Sequence, residues 1–160
     1  MILTYSWISA VSMTKTIRLD EFGGPEVLKW TEVVTGDPGL GEARVAHTAI
    51  GVNLIDTYFR SGLYPIELPS GLGSEAAGVV SAVGSGVDHV QVGDRVAYVT
   101  PPPLDGYSEE RLLDAARLVK LPQGVEDETA AAMMLKGMTS WYLLHRSYPV
   151  QVGQWIVLYA

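Results

Sequence analysis

The sequence predicts a β-rich α+β fold, with a barrel-like or sandwich-like β domain first and helices after it. Three observations predict it. Short runs rich in branched residues recur as far as Leu121, with glycine-bearing corners between them. After Gly124 the composition shifts to Ala, Met and Leu, with acids at the start, which is the pattern of a helix N-terminus. Residues 155–160 then form a continuous apolar run, as suits a strand covered on both faces in a parallel sheet.

Each element has a local reason. Residues 16–19 are a short strand candidate, and Phe22-Gly23-Gly24-Pro25-Glu26 is a turn in which glycine supplies positive φ and proline a fixed one. A strand over residues 27–33 follows, then a second turn at Asp37-Pro38-Gly39. Residues 42–52 alternate, with Val45, His47 and Ala49 on one face and Arg44, Ala46, Thr48 and Ile50 on the other, so they read as a strand. Asn53 is suited to cap a helix over residues 54–60 that Gly62 ends. Two prolines within residues 65–69 require an irregular loop.

Residues 77–83 and 95–99 are strands, with Gly84-Ser85-Gly86 and Val92-Gly93-Asp94 as turns between them. Residues 108–116 read locally as helix, and residues 117–121 as a strand ending at Pro122. A helix is expected over residues 127–135, interrupted at Gly137 and resumed over residues 139–146. The domain boundary is expected between Leu121 and Asp127. Residues 14–124 are then the first unit and residues 125–160 the start of a second. Residues 1–13 are expected to be a disordered extension. Their apolar stretch has no basic leader and is too short to span a bilayer, and Met13-Thr14-Lys15 reads as a more natural start.

Composition removes several classes of function. Of 160 residues 48% are hydrophobic, enough to bury a core, which argues against disorder. The net charge of −7 and the lack of any Lys/Arg cluster leave no footprint for nucleic acid or an anionic membrane surface. There is no cysteine, so disulfides and thiolate-bound zinc are excluded, in keeping with a cytoplasmic location. His47, His89 and His145 match no metal spacing and read as ordinary packed or surface histidines.

The chemistry concentrates where the strand ending at Val52 stops. Asn53, Asp56, Thr57, Tyr58 and Tyr64 fall within twelve positions. An amide that both donates and accepts, beside phenols with a flat face and a polar tip, suits a planar oxygen-bearing ligand; the same tyrosines would also serve to cap the end of a barrel. Gly71-Leu72-Gly73-Ser74-Glu75-Ala76 formally matches a dinucleotide fingerprint. It follows a proline-rich loop and runs into a strand, so it fails the strand–loop–helix context and is expected to be a tight turn beside a pocket. Glu75, among small residues, needs hydrogen-bond partners, and a structural role is favoured over acid/base work. Pro101-Pro102-Pro103 reads as a stiff loop. Lys136-Gly137-Met138-Thr139 reads equally as a ligand edge or a simple kink.

Phe22-Gly-Gly-Pro-Glu-Val-Leu, Gly51-Val-Asn-Leu-Ile-Asp-Thr-Tyr, Arg60-Ser-Gly-Leu-Tyr-Pro and Gly73-Ser-Glu-Ala-Ala-Gly-Val-Val, in this order, resemble the quinone oxidoreductases of the medium-chain dehydrogenase/reductase superfamily. Val92-Gly-Asp-Arg-Val-Ala-Tyr, Gly106-Tyr-Ser-Glu and Leu135-Lys-Gly-Met-Thr continue the match, which covers residues 15–160. The resemblance implies a GroES-like β-barrel catalytic domain, followed by the first helices and first strand of a Rossmann domain truncated before its Gly-rich loop. It implies metal-free hydride transfer from NADPH to a quinone or related conjugated carbonyl, in a full-length form that is a homodimer. Zinc-dependent relatives carry a cysteine where this chain has Asn53 and a histidine where it has Ser74. By similarity Asn53, Leu54, Ile55, Asp56, Thr57 and Tyr58 lie against the nicotinamide. Tyr64 and Ser70 line the same cleft, Thr139 and Tyr142 approach from the second domain, and Asn53, Tyr58 and Tyr64 are the candidate catalytic residues. The 160-residue chain is expected to have little NADPH affinity alone and to expose apolar faces on its last helices. The competing expectation is a non-enzymatic GroES-like module or gene remnant.

Overall fold

The computed structural model describes residues 12–159. Most of the expected N-terminal extension lies outside the described residues. Its last two positions do not: Ser12 and Met13 already belong to strand β1 (Ser12–Arg18), which therefore starts four residues before the expected strand. β1 pairs antiparallel with β2 (Lys29–Thr35) across the Gly-Gly-Pro corner, where Pro25–Val27 form one turn of 3-10 helix.

The second sheet has five strands. β3 (Glu42–Gly51), β4 (Glu75–Val83), β5 (Arg95–Val99), β6 (Glu110–Asp114) and β7 (Val119–Lys120) lie in the order β6-β3-β4-β5-β7, antiparallel throughout. β1 joins the two sheets. Ile17 N–H donates to Tyr107 O at 2.8 Å, Glu109 N–H to Lys15 O at 2.9 Å, and His47 N–H to Glu109 O at 2.8 Å. The sheets thus wrap towards one another, as barrel closure requires.

β6 corrects the helical reading of residues 108–116. Glu-Arg-Leu-Leu-Asp has good helix formers, but Arg111 and Leu113 alternate inward and the backbone pairs with residues 42–46 of β3. Tertiary pairing overrides a weak local preference here. Val45, Val80, Val96, Tyr98 and Leu113, all from the five-stranded sheet, form one apolar core. A second core of Leu19, Val27, Phe59, Leu72 and Leu104 lies under helix α1 (Leu54–Ser61), which ends at Gly62 as expected.

Helix α2 (Asp127–Tyr142) runs unbroken through Gly137 into a π-helical turn over Leu143–Ser147, so the expected interruption is absent. Its first turns seat on the sheet through a seam of alanines, Ala77 and Ala97 against Ala130 and Ala131. Small side chains let helix and sheet approach closely. Asp127 pins the start of α2. Thr48 Oγ1 donates to its Oδ2 at 2.6 Å and the Arg95 guanidinium to its Oδ1, and these two contacts hold the carboxyl below the usual range. Farther on, Met133, Met138, Trp141, Tyr142 and Leu143 are exposed. Residues 155–159 are exposed as well and form no strand, contrary to expectation. An apolar run becomes a buried strand only where other strands pair it and helices cover it, and no described strand flanks this one.

Candidate functional site

The site is built at the junction of β3, α1, β4 and α2. β3 stops at Gly51 because this backbone is wedged between Glu75 and α2: a Cβ here would collide with the Glu75 side chain and the Ala131 carbonyl. The chain then turns into α1, with Asn53 at the N-cap position in extended conformation. The Asp56 carboxylate returns to accept from Asn53 N–H at 2.9 Å, half of a capping box.

Around this cap is a buried polar network. Asn53, Asp56, Ser74 and Glu75 are each at most 6% exposed. Asn53 Nδ2 donates to Glu75 Oε1 at 2.7 Å, and Leu135 N–H of α2 donates to Glu75 Oε2 at 2.6 Å. Lys136 Nζ donates to Asn53 Oδ1 at 2.6 Å and lies 3.7 Å from Glu75 Oε1. Asp56 also accepts from Tyr107 Oη at 2.7 Å and from Ser74 Oγ at 3.3 Å. Both carboxylates meet only donors, which is how a buried carboxylate must be satisfied. Burial, together with the hydrogen bond to the Asp56 carboxylate, pushes the Tyr107 hydroxyl well above the usual phenol range, so it acts as a fixed donor. Gly73 permits this arrangement: at φ +90° it adopts a backbone that disfavours other residues, and a Cβ would strike the Tyr107 ring.

The structural reading of Glu75 is therefore met by Asn53 and the Leu135 amide. The network also includes two residues that the sequence did not single out as site members, Tyr107 and Lys136. Both bonds span long separations, 51 and 83 positions, and no short-range pattern signals them. The sequence cues were that each falls inside a family-like string and that Lys136 opens the stretch read equally as a ligand edge or a kink.

The other expected site residues are distributed as follows. Tyr58 and Tyr64 meet edge to face, with centroids 5.5 Å apart, and Tyr64 also packs on Phe59 at 5.8 Å. Neither phenol makes a hydrogen bond among the described residues. Leu54 is exposed, while Ile55 packs on the core below α1. Thr57 Oγ1 donates back to Leu54 O at 2.7 Å. Thr139 and Tyr142 are exposed on α2, and Thr139, three residues on from Lys136, shares its side of the helix. Ser70 lies elsewhere. Its hydroxyl donates to Gly71 O at 2.8 Å, its backbone pairs with Leu19, and it lines a separate cavity with Pro102, Pro103 and Asp105.

Chemically, the network presents fixed cationic and amide donors at the edge of a buried acidic cluster. Asn53 and Ser74 contribute neutral oxygens and nitrogen to it, beside the Asp56 and Glu75 carboxylates. Among the described residues no group of three His, Cys, Asp or Glu is placed to hold a metal. No helix among them is long and apolar enough to cross a membrane.

The fold and this site define a class. The chain belongs to the alcohol dehydrogenase GroES-like domain family, which matches residues 39–145. It is 53% identical over 149 residues to a quinone oxidoreductase of Pseudomonas aeruginosa, covering 92% of this chain and 46% of that one. It is 46% identical to a 2-haloacrylate reductase of a Burkholderia species, covering 86% and 43%. In structure it superimposes on the Escherichia coli quinone oxidoreductase complexed with NADPH, with a TM-score of 0.82 and 48% identity over 86% of this chain and 42% of that one. The chain thus spans less than half the length of these relatives.

Proposed function

We propose that this chain is the acceptor-binding part of an NADPH-dependent oxidoreductase that reduces quinones or related conjugated carbonyls without zinc. The observation that carries this reading is the Asn53 amide, shared between Glu75 and Lys136 at the α1–α2 junction. It joins the barrel to the helix that follows it through one buried charge, Glu75, and one at the surface, Lys136. Such groups are suited to steady a charge that develops on a small ligand.

The residues fit the nicotinamide end of NADPH. A carboxamide needs hydrogen-bond partners and a ring needs a flat apolar wall. Leu54, Tyr58 and Tyr64 from the α1 region and Thr139 and Tyr142 from α2 are the residues that would supply these surfaces. Asn53, Ile55, Asp56 and Thr57 fix the helix that carries this wall. Asp56 contributes through the backbone, since its carboxylate is used up internally. Ser70 contributes least, being turned to the Gly71 carbonyl. NADPH, when bound, supplies a hydride; this chain's part is to orient the acceptor and stabilise the charge it gains. A cytoplasmic, homodimeric whole protein belongs to the same reading.

The test is consumption of NADPH with a benzoquinone acceptor. It is run on this chain and on a chimera that continues it into the remainder of the Escherichia coli relative. Turnover by the chimera, lost in Asn53→Ala, is the expected result. A folded chimera that binds NADPH yet reduces no quinone or enone overturns the reading.

A further inference from the structure

We propose that Lys136 is a catalytic cation: its ammonium donates the hydrogen bond that stabilises negative charge on the acceptor oxygen. The inference rests on the acceptor-site reading above and adds a residue to it. A lysine on an exposed helix face ordinarily holds water or pairs one turn along its own helix. This one reaches back to the barrel, where Nζ lies 2.6 Å from Asn53 Oδ1 and 3.7 Å from Glu75 Oε1.

Glu75 is completely buried and clamped, one oxygen by Asn53 Nδ2 and the other by the Leu135 amide. The ammonium is thereby held at a fixed point, while 60% of the Lys136 side chain stays accessible. The Asn53 contact uses one of its three N–H groups. The remaining donors stand at the surface beside Thr139, on the side where the proposed acceptor would enter. The result is a preorganised positive charge backed by a buried anion, the arrangement that stabilises a developing oxyanion.

The chemistry balances. The conjugated acceptor gains a hydride, two electrons and one proton, from the dihydronicotinamide, which is left oxidised. One negative charge then appears on an acceptor oxygen, and a proton from solvent water neutralises it. Lys136 lowers the energy of the anion and stays protonated throughout.

The experiment uses the 160-residue chain without cofactor and probes it with 4-nitrophenol, whose ionised form has its own visible absorbance, and with its neutral methyl ether. The charged groups facing the probe are Lys136 and, behind it, Glu75. The wild type is expected to bind the phenolate about tenfold more tightly than the ether, as for a charge-assisted hydrogen bond. It is also expected to lower the apparent pKa of the bound phenol. Lys136→Met removes both effects and Lys136→Arg restores most of them. A purely structural strap would leave the phenolate preference intact in any variant that stays folded. Phenolate preference retained in Lys136→Met overturns the inference and leaves the site reading standing. Failure of the wild type to bind either probe overturns the site reading, and the inference with it.

Discussion

Strand β3 holds one buried polar cluster near its middle and another just past its end, and the two are opposite in kind. At the middle, the wholly buried Tyr98 hydroxyl donates to His47 Nε2 at 2.8 Å, and His47 Nδ1–H donates to Ser108 O at 2.7 Å. Burial drives both groups neutral, with His47 lowered to about 4 and Tyr98 raised to about 12. This chain of bonds ends on a backbone carbonyl, with the buried Arg111 guanidinium 5.5 Å over the Tyr98 ring. At the strand's end the cluster is ionic and continues through Lys136 to the surface. A neutral closed chain fixes the fold, whereas a charged open one also offers something to a ligand.

Breaking the ionic cluster is expected to have the largest effect. Glu75→Ala removes a buried carboxylate and strands the Leu135 amide, the Asn53 amide and the Lys136 charge together. The expected loss is roughly 3–5 kcal/mol, at about 1–3 kcal/mol for each of the two amides left without an acceptor, together with the cavity left behind. Urea unfolding would measure it. A loss below about 1 kcal/mol, the worth of one ordinary hydrogen bond, would show that the cluster does not dock α2.

The neutral cluster is expected to reveal itself through pH. The His47 pKa falls from 6.5 unfolded to about 4 folded. Below the unfolded value the unfolded chain binds a proton that the native imidazole refuses, so stability is present above pH 6.5 and drains away as pH falls towards 4. The loss at the lower end is roughly 2–3 kcal/mol. His47→Gln should flatten that slope in unfolding curves taken at successive pH values, and an unchanged slope would assign the acid sensitivity to the carboxylates instead.

Tyr107→Phe sharpens the comparison from the ionic side. It deletes one of the donors to the Asp56 carboxylate and leaves the ring in place. The expected cost is about 1–2 kcal/mol, and it should fall on the α1 cap, seen as faster amide exchange at residues 54–57. Uniform exchange across the domain would count against such a local role.

Much of this was readable in the sequence where the cause is local. Asn53, the helix after it and its end at Gly62 follow from cap and turn chemistry, and β5 matches its expected bounds. Glu75 declared its need for partners by standing charged among small residues. What escaped was set by distance along the chain. Tyr107 and Lys136 become site residues only once β6's approach segment and α2 fold against β4. Residues 110–114 carry helix-forming letters that the free edge of β3 recruits into a sheet. Residues 155–159 carry strand letters that nothing described recruits.

Tyr58 and Tyr64 are expected to show the smallest effect on stability, and for that reason they separate fold from function most cleanly. Their rings pack on each other and on Phe59, yet their hydroxyls make no hydrogen bond among the described residues. Removing those oxygens takes nothing from the fold, so Tyr58→Phe and Tyr64→Phe should each shift unfolding by less than about 0.5 kcal/mol. If the phenols orient the acceptor, the same changes weaken its binding by about tenfold in a titration with a quinone analogue, the worth of one hydrogen bond to a ligand. Glu75→Ala would lose stability and binding together, whereas the tyrosine variants would lose binding alone. Tyrosine variants that keep full affinity would leave the ionic cluster as the whole of the site and reduce these rings to packing at the end of the barrel.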